Sequence, residues 1–272
     1  VSKKVQAIYL WWHKPVIDRE LLQSLPNLKV IANSGVGMDH LDLELVASFG
    51  VKMANAPHAV SSSTADTGMA LLLASARRLV EGYQIAISSG MEYCEADFLG
   101  VQVTGATLGI IGMGNIGYKI ALRAKAFEMN VLYHNRTRRE DIIQRRCFAI
   151  GSRRLYTQSL IIDSLVPKVQ AAEFTTNRRN GKGSSSKTGA VVDQEALVMA
   201  LRTGVIRAAA LDVTCPEPLP RDHTLLKLKN VILTPHLGIK TDKATYMITE
   251  EAVENILAAL NGVPMPSEVL PS

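Results

Sequence analysis

Residues 104–139, TGATLGIIGMGNIGYKIALRAKAFEMNVLYHNRTRR, constrain this chain more than any other stretch. The apolar run Leu108-Gly109-Ile110-Ile111 predicts a buried parallel strand, because a strand covered on both faces loses polar–apolar alternation. It breaks into Gly112-Met113-Gly114-Asn115-Ile116-Gly117, a G-x-G-x-x-G turn. Ile116, Ile120, Ala121, Ala124 and Phe127 then recur at helical spacing, and a second strand is expected over 130–134. Strand, glycine turn, helix, strand is the setting in which this motif holds a dinucleotide; a glycine-rich structural turn is the alternative. Gly112 permits the tight turn, Gly114 lets backbone approach a pyrophosphate, and Gly117 lets the helix lie close to the strand. Asn115 and Ile116 open the helix, whose N–H groups and positive dipole end face the phosphates.

The end of the second strand selects the dinucleotide. NAD-binding units place an Asp or Glu there for the ribose 2′-hydroxyl, whereas NADP-binding units offer an Arg to the 2′-phosphate. Here the strand ends His134-Asn135-Arg136-Thr137-Arg138-Arg139, with no carboxylate before Glu140. Arg136, with Arg138 or Arg139, supplies planar donors suited to phosphate oxygens. The expected cofactor is NADP(H) in preference to NAD(H). A solvated basic loop is the alternative.

A chain of 272 residues with 47% hydrophobic and 5% aromatic content can bury one large core or two modest ones. It holds no run of about eighteen apolar residues, so no membrane span is expected. The start, Val1-Ser2-Lys3-Lys4, lacks the pattern of a signal peptide and is not Met, which suggests a fragment. Cys94, Cys147 and Cys215 are odd in number and lack metal-ligand spacing, so thiols in a reducing cytoplasm are expected. The net charge of +5 does not point to nucleic acid. Residues 136–188 carry twelve Lys or Arg against four Asp or Glu, more than the whole excess, without interleaved aromatics or a reader motif.

Along the chain, strands are expected over 5–10, 28–32 and 51–54, with helices over 18–25 and 41–49 between them. Such alternation implies parallel βαβ units. Ser34-Gly35-Val36-Gly37-Met38-Asp39-His40 follows the second strand, where glycines suit a turn offering N–H groups to an anion; an ordinary βα turn is the alternative. Asn55-Ala56-Pro57 marks a domain crossing, and Ser62-Ser63-Thr64-Ala65-Asp66 caps a long helix expected over 65–87, with Met69, Leu72, Leu73, Ala76 and Leu79 apolar. Later, Asp193 caps a helix ending near Gly204. Strands are expected over 205–213 and 231–234, the latter running into Pro235-His236-Leu237-Gly238, and an amphipathic helix over 241–260.

With these stretches in view, the chain resembles the D-2-hydroxyacid dehydrogenases, most closely their glyoxylate/hydroxypyruvate reductase branch. The resemblance rests on LKVIANSGVGMDHLDLE, NAPHAVSSSTADTGMALLLASARR, TLGIIGMGNIGYKIALRAKAF, GAVVDQEALVMALRTGVIRAAALDVTCPEPLP and LKNVILTPHLG, which together cover most of the chain outside about 140–188. It implies an α/β protein with a Rossmann-type doubly wound parallel sheet domain and a smaller flavodoxin-like substrate domain. The substrate domain would comprise residues 1–57 and 248–272, and the dinucleotide-binding domain residues 58–247. The implied reaction is NADPH-dependent reduction of a small 2-keto acid to the D-2-hydroxy acid, by a homodimer joined through the cofactor domain. Val36 and Gly37 would offer main-chain N–H groups to the substrate carboxylate. His236 would be the acid/base, imidazole being suited to this near neutral pH. Glu217 would orient His236 and favour its charged form. Asp212 would reach the nicotinamide amide, Gly238 would border the cofactor, and His40 stays a structural residue of its turn.

Three features depart from the family pattern. An N-terminal strand–helix unit of the substrate domain is absent before Val1, so an exposed sheet edge is expected. The substrate-clamping Arg of the family is replaced by Thr188, which supplies neither charge nor a bidentate fork, and Lys187 is one position off. Finally, FTTNRRNGKGSSSK (residues 174–187) has no apolar residue after Phe174, whereas a fourth strand, a helix and the start of a fifth strand belong between about 160 and 188. A disordered loop is expected there. Two functions therefore stay open: the reductase, or a catalytically impaired NADP(H)-binding protein or decayed copy.

Overall fold

The computed structural model describes residues 2–11, 14–38, 40–90, 98–135, 139, 147–149, 160–163 and 193–271. The chain divides into two compact units, residues 1–63 with 239–272, and residues 64–238.

In the first unit, β1 (Ala7–Leu10), β2 (Val30–Asn33) and β3 (Lys52–Ala54) form a parallel sheet in that order, pairing Ala7 with Val30 and Val30 with Lys52. Alternation along the strands sends Leu10, Ile31 and Met53 to one face, where they pack with Leu22 of α1 (Arg19–Ser24) and Val46 of α2 (Leu43–Ser48). Val30 and Ala54 face the other way, against Ile256, Ala258 and Ala259 of a long C-terminal helix (Asp242–Leu260) and against Met265. The tail then returns along β3, Val269 N donating to Met53 O at 2.8 Å and Asn55 N to Ser267 O at 3.2 Å. Both short helices start one residue after an aspartate: Asp18 accepts from Leu21 N and Asp42 from Leu45 N, a cap worth about 1 kcal/mol each.

The chain passes into the second unit within α3 (Ser61–Ala76). The expected single helix over 65–87 is in fact two. α3 stops at Ala76, Arg78 takes a left-handed conformation (φ 53°), and α4 (Leu79–Ile87) follows. Arg78 is fixed there by a two-pronged ion pair with Glu81, at 2.6 and 2.8 Å, and by its guanidinium lying 4.4 Å from the Phe98 ring centre. The break shifts the helical register, so Met69, Leu72 and Ala76 are buried while Leu79 is 56% exposed.

β4 (Thr107–Ile111), α5 (Asn115–Ala126) and β5 (Asn130–His134) form the expected strand–turn–helix–strand unit. Ile116, Ile120, Ala121 and Ala124 are buried against Leu108, Ile110 and Val131. Phe127, expected on that face, is the residue that ends the helix and is 39% exposed. The parallel sheet continues with β6 (Cys147–Ala149) and β7 (Leu160–Asp163), in the order β6-β5-β4-β7. Counted from the glycine-turn strand this is 3-2-1-4, the doubly wound order. β6 lies in a stretch for which the sequence suggests no strand, and β7, paired with β4, falls at the start of residues 160–188, where the family pattern has a fourth strand. The polar stretch 174–187, Lys187 and Thr188 lie outside the described residues. Burial pushes the Cys147 thiol of β6 above its ordinary range, against the opposing pull of Lys125.

α6 (Gln194–Arg202) starts after Asp193, which accepts from Ala196 N at 3.0 Å, and ends in a turn through Gly204 (φ 73°). That turn draws Ile206 N back to Ala200 O, which is why the strand expected over 205–213 shrinks to β8 (Ala209–Leu211). β8 pairs in parallel with β9 (Val231–Leu233). The C-terminal helix, α7, expected over 241–260, starts at Asp242, with Thr241 as its cap accepting from Ala244 N at 3.1 Å. Among the described residues, no helix is long and apolar enough to cross a membrane.

Candidate active site and dinucleotide cradle

The three glycines of the turn have different jobs. Gly112 takes φ 90° and donates its N–H to His134 O at 2.9 Å, extending the β4–β5 ladder into the turn. A Cβ on Gly117 would stand 2.1 Å from Gly112 O and 3.2 Å from Ile110 Cγ2, so only glycine lets α5 approach β4 this closely. Gly114 is under neither constraint: its φ is −79° and a Cβ there would meet nothing within 4 Å. It precedes α5 without any side-chain cap, and the helix ladder begins only at Tyr118 N to Gly114 O. The Asn115, Ile116 and Gly117 amides thus open onto room beside an uncapped helix start. A phosphate ligand fits this cradle.

Asn135, at the end of β5, turns its side chain back to the cradle and accepts from Met113 N at 3.3 Å. Arg136 and Arg138 lie outside the described residues. Arg139, offered by the sequence only as an alternative to Arg138, places its guanidinium at the turn, donating to Met113 O at 3.2 Å. Its backbone is tied to the Tyr133 hydroxyl, which accepts from Arg139 N at 3.2 Å. No periodicity could signal this, since it depends on how the chain folds back after β5.

The second cluster sits after β9. His236 has φ 54°, a left-handed conformation in which histidine is among the better tolerated residues. Its N–H lies 3.0 Å from both Asp212 O and Thr234 O, and its Nδ1 lies 3.1 Å from Glu217 Oε1. The two side chains are part-exposed, 28% and 35%, so the pair is open to solvent on one side. Asp212, only 2% exposed, organises the loop from beneath. Its Oδ1 accepts from Thr234 Oγ1 at 2.5 Å and from Leu237 N at 2.7 Å, while Oδ2 accepts from Gly238 N at 2.9 Å. A Cβ on Gly238 would come within 3.2 Å of that carboxylate and 3.1 Å of Thr64 Cγ2, so a side chain there would push both neighbours back by a few tenths of an ångström. His236, Glu217, Asp212 and Gly238, far apart in sequence, are thereby brought together. Thr234 is a participant that sequence reasoning missed.

In the other unit, the loop after β2 turns its carbonyls inward. Asn33, 2% exposed, donates to Gly35 O at 3.1 Å and Gly37 O at 2.9 Å, and Asn55 donates to Val36 O at 2.9 Å. Among the described residues, no main-chain acceptor takes the Val36 or Gly37 N–H. Two asparagines therefore shape the loop whose N–H groups the sequence singled out. The signal of Asn33 is a polar residue ending the buried run Val30-Ile31-Ala32.

A glycine cradle at the turn between parallel strands, with a histidine–carboxylate pair in the same unit, marks a dinucleotide-binding α/β protein. The sequence model of the family described as D-isomer specific 2-hydroxyacid dehydrogenase, NAD binding domain, matches residues 69–238. Glyoxylate reductase of Thermococcus litoralis is 36% identical over 270 residues, spanning 93% of this chain and 80% of its own. Glyoxylate/hydroxypyruvate reductase B of Yersinia pestis is 36% identical over 260 residues, spanning 90% and 78%. The structure of D-lactate dehydrogenase from Aquifex aeolicus, complexed with NAD and lactic acid, superposes with a TM-score of 0.80 at 27% identity, covering 99% of this chain and 88% of that one. The chain belongs to the D-isomer specific 2-hydroxyacid dehydrogenase family, and its second unit carries that family's nicotinamide dinucleotide-binding domain.

Proposed function

We propose that the chain reduces a small 2-keto acid of the glyoxylate or hydroxypyruvate type to the D-2-hydroxy acid, using NADPH. The observation that carries this reading is the 3.1 Å contact between His236 Nδ1 and Glu217 Oε1 on a loop clasped by Asp212. The cradle at Gly112, Gly114 and Gly117 would hold the pyrophosphate, with Asn135 and the arginines after it near the adenosine ribose. Bound NADPH supplies the hydride. With Nδ1–H directed at Glu217, His236 gives its proton from Nε2 to the carbonyl oxygen, and Glu217 orients the ring for that transfer. The Val36 and Gly37 N–H groups would bind the substrate carboxylate. Asp212 already accepts three hydrogen bonds; a carboxylate offers about four acceptor sites, which leaves one for the nicotinamide amide.

The test is NADPH oxidation by glyoxylate or hydroxypyruvate, run beside NADPH binding and beside Thr188→Arg. Turnover by the native chain is expected, and a gain in Thr188→Arg would measure what the missing guanidinium contributes. Binding without turnover, with turnover appearing only in Thr188→Arg, would replace this reading with that of an impaired dinucleotide-binding protein.

The preference for NADPH over NADH is assigned to Arg136 and Arg138, supported by the absence of a carboxylate between His134 and Arg139. Arg136→Ala is expected to weaken NADPH binding about tenfold, an amount typical of one charged hydrogen bond, while NADH binding stays level. An unchanged ratio would reject the assignment. A homodimer is the expected assembly, supported by the apolar row Leu79, Val80, Tyr83 and Ile87 exposed on α4. Sedimentation should show one dimeric species, and a monomer at micromolar concentration would refute it. The cytoplasm is the expected compartment, in keeping with Cys147 and Cys215, which form no disulfide; localisation of a tagged chain to an oxidising compartment would count against it.

A further inference from the structure

Glu217 must keep its carboxylate beside His236, yet its own stretch gives it little support. Residues 213–219 form neither helix nor strand, and among the described residues their backbone makes no main-chain to main-chain hydrogen bond. Pro216 and Pro218, on either side of Glu217, carry no N–H and so remove two donors outright. A local bond from Thr214 Oγ1 to Pro216 O, at 3.1 Å, ties the stretch only to itself.

The anchor comes from elsewhere. Gln194, the first residue of α6, grips the backbone of Cys215 with both ends of its amide. Its Oε1 accepts from Cys215 N at 3.1 Å, and its Nε2 donates to Cys215 O. α6 is itself held, by the Asp193 cap at its start and by the burial of Ala200 and Leu201. Only a carboxamide head can donate and accept in this paired way: a carboxylate only accepts, and an ammonium only donates. The grip falls two residues before Glu217, on the residue preceding the first proline. Asp212 fixes the histidine end of the pair, and Gln194 the carboxylate end.

We propose that Gln194 is a positioning residue for the Glu217–His236 pair, its amide fixing Cys215 so that the Glu217 carboxylate meets the His236 imidazole. The proposal rests on the proton-transfer role given to His236 above, but the placement it describes can be read without turnover.

The experiment uses the full chain labelled with 15N-histidine, as native protein, Gln194→Ala and Gln194→Glu, with His236→Asn to assign the His236 signals. The native spectrum should show a strongly hydrogen-bonded Nδ1–H on His236. In Gln194→Ala that signature should fade toward the Nε2–H tautomer, with an unchanged melting temperature. kcat should fall about tenfold, a fraction of the 10²–10⁴ that general acid–base catalysis contributes, while KM for the keto acid and for NADPH stays within about twofold. Gln194→Glu, which keeps the acceptor and loses the donor, should fall between the two, and it decides the matter if Gln194→Ala does not fold. An unchanged Nδ1–H signature in a folded variant would overturn the proposal. A native chain without turnover would instead overturn the reductase reading, and the spectra would still decide the role of Gln194.

Discussion

Exchanging His236 for asparagine is expected to lower kcat for glyoxylate or hydroxypyruvate by about 10²–10⁴-fold, while NADPH affinity stays within about twofold. Asparagine is chosen because the site demands φ 54°. Asn, like His, is enriched in the left-handed region, so the backbone need not readjust. The loop itself is held by bonds that do not involve the imidazole: Thr234 Oγ1, Leu237 N and Gly238 N all donate to Asp212. The variant should therefore melt within a degree or two of the native chain and bind cofactor normally, having lost only a titrating nitrogen. A variant retaining more than a tenth of native kcat would mean that another group supplies the proton. The keto acid proton would then have to come from outside the His236–Glu217 pair.

The second large effect separates two glycines three residues apart. Gly117→Ala would drive a methyl to within 2.1 Å of a backbone carbonyl oxygen, which cannot swing away as a side-chain tip would. Overpacking of this kind costs about 1–3 kcal/mol and sometimes more. For a unit of this size each kcal/mol lowers the melting temperature by about 2–4 °C, so a fall of roughly 6–12 °C is expected at the upper end. Gly114→Ala meets no protein atom and no conformational barrier, so the melting temperature should hold. Its methyl would stand where a pyrophosphate approaches, and an overpacking penalty of about 1–3 kcal/mol there becomes a loss of about tenfold or more in dinucleotide affinity. Calorimetric melting and NADPH titration of both variants check this. If Gly114→Ala binds like the native chain, the cofactor does not lie against that residue.

What the sequence made legible was mostly local. Asp193 caps the helix it precedes because a cap needs only the next three residues. The glycine turn was readable for the same reason, its strand, turn and helix being contiguous. The misses are places where distant residues overrode local preference. Periodicity carried one helix through Arg78, but a ring at Phe98 and an ion pair with Glu81 hold Arg78 out of helical geometry. Asp212 was read as a cofactor contact, and nothing in its neighbourhood of sequence revealed that it also gathers residues 234–238. Nothing near Gln194 in sequence marks it out. Its partner lies twenty-one positions away. Thr188 shows the reverse case: its meaning came wholly from a pattern of residues, and no local physics would have marked it.

The order in which the chain is synthesised does not match the order in which its parts can be completed. Residues 64–238 form one unbroken unit, whereas the first unit begins before it and resumes only at Ile239. The Val30 and Ala54 face of the β1–β3 sheet is covered by α7 and Met265, which emerge from the ribosome after the whole second unit. At ~5–20 residues per second, that apolar face waits on the order of ten seconds or more for its partner. Translation thus hands the nascent chain an open half-sheet first and its cover last. A chaperone meeting this protein would meet it there, at the N-terminal strands, with the dinucleotide unit already able to close upon itself.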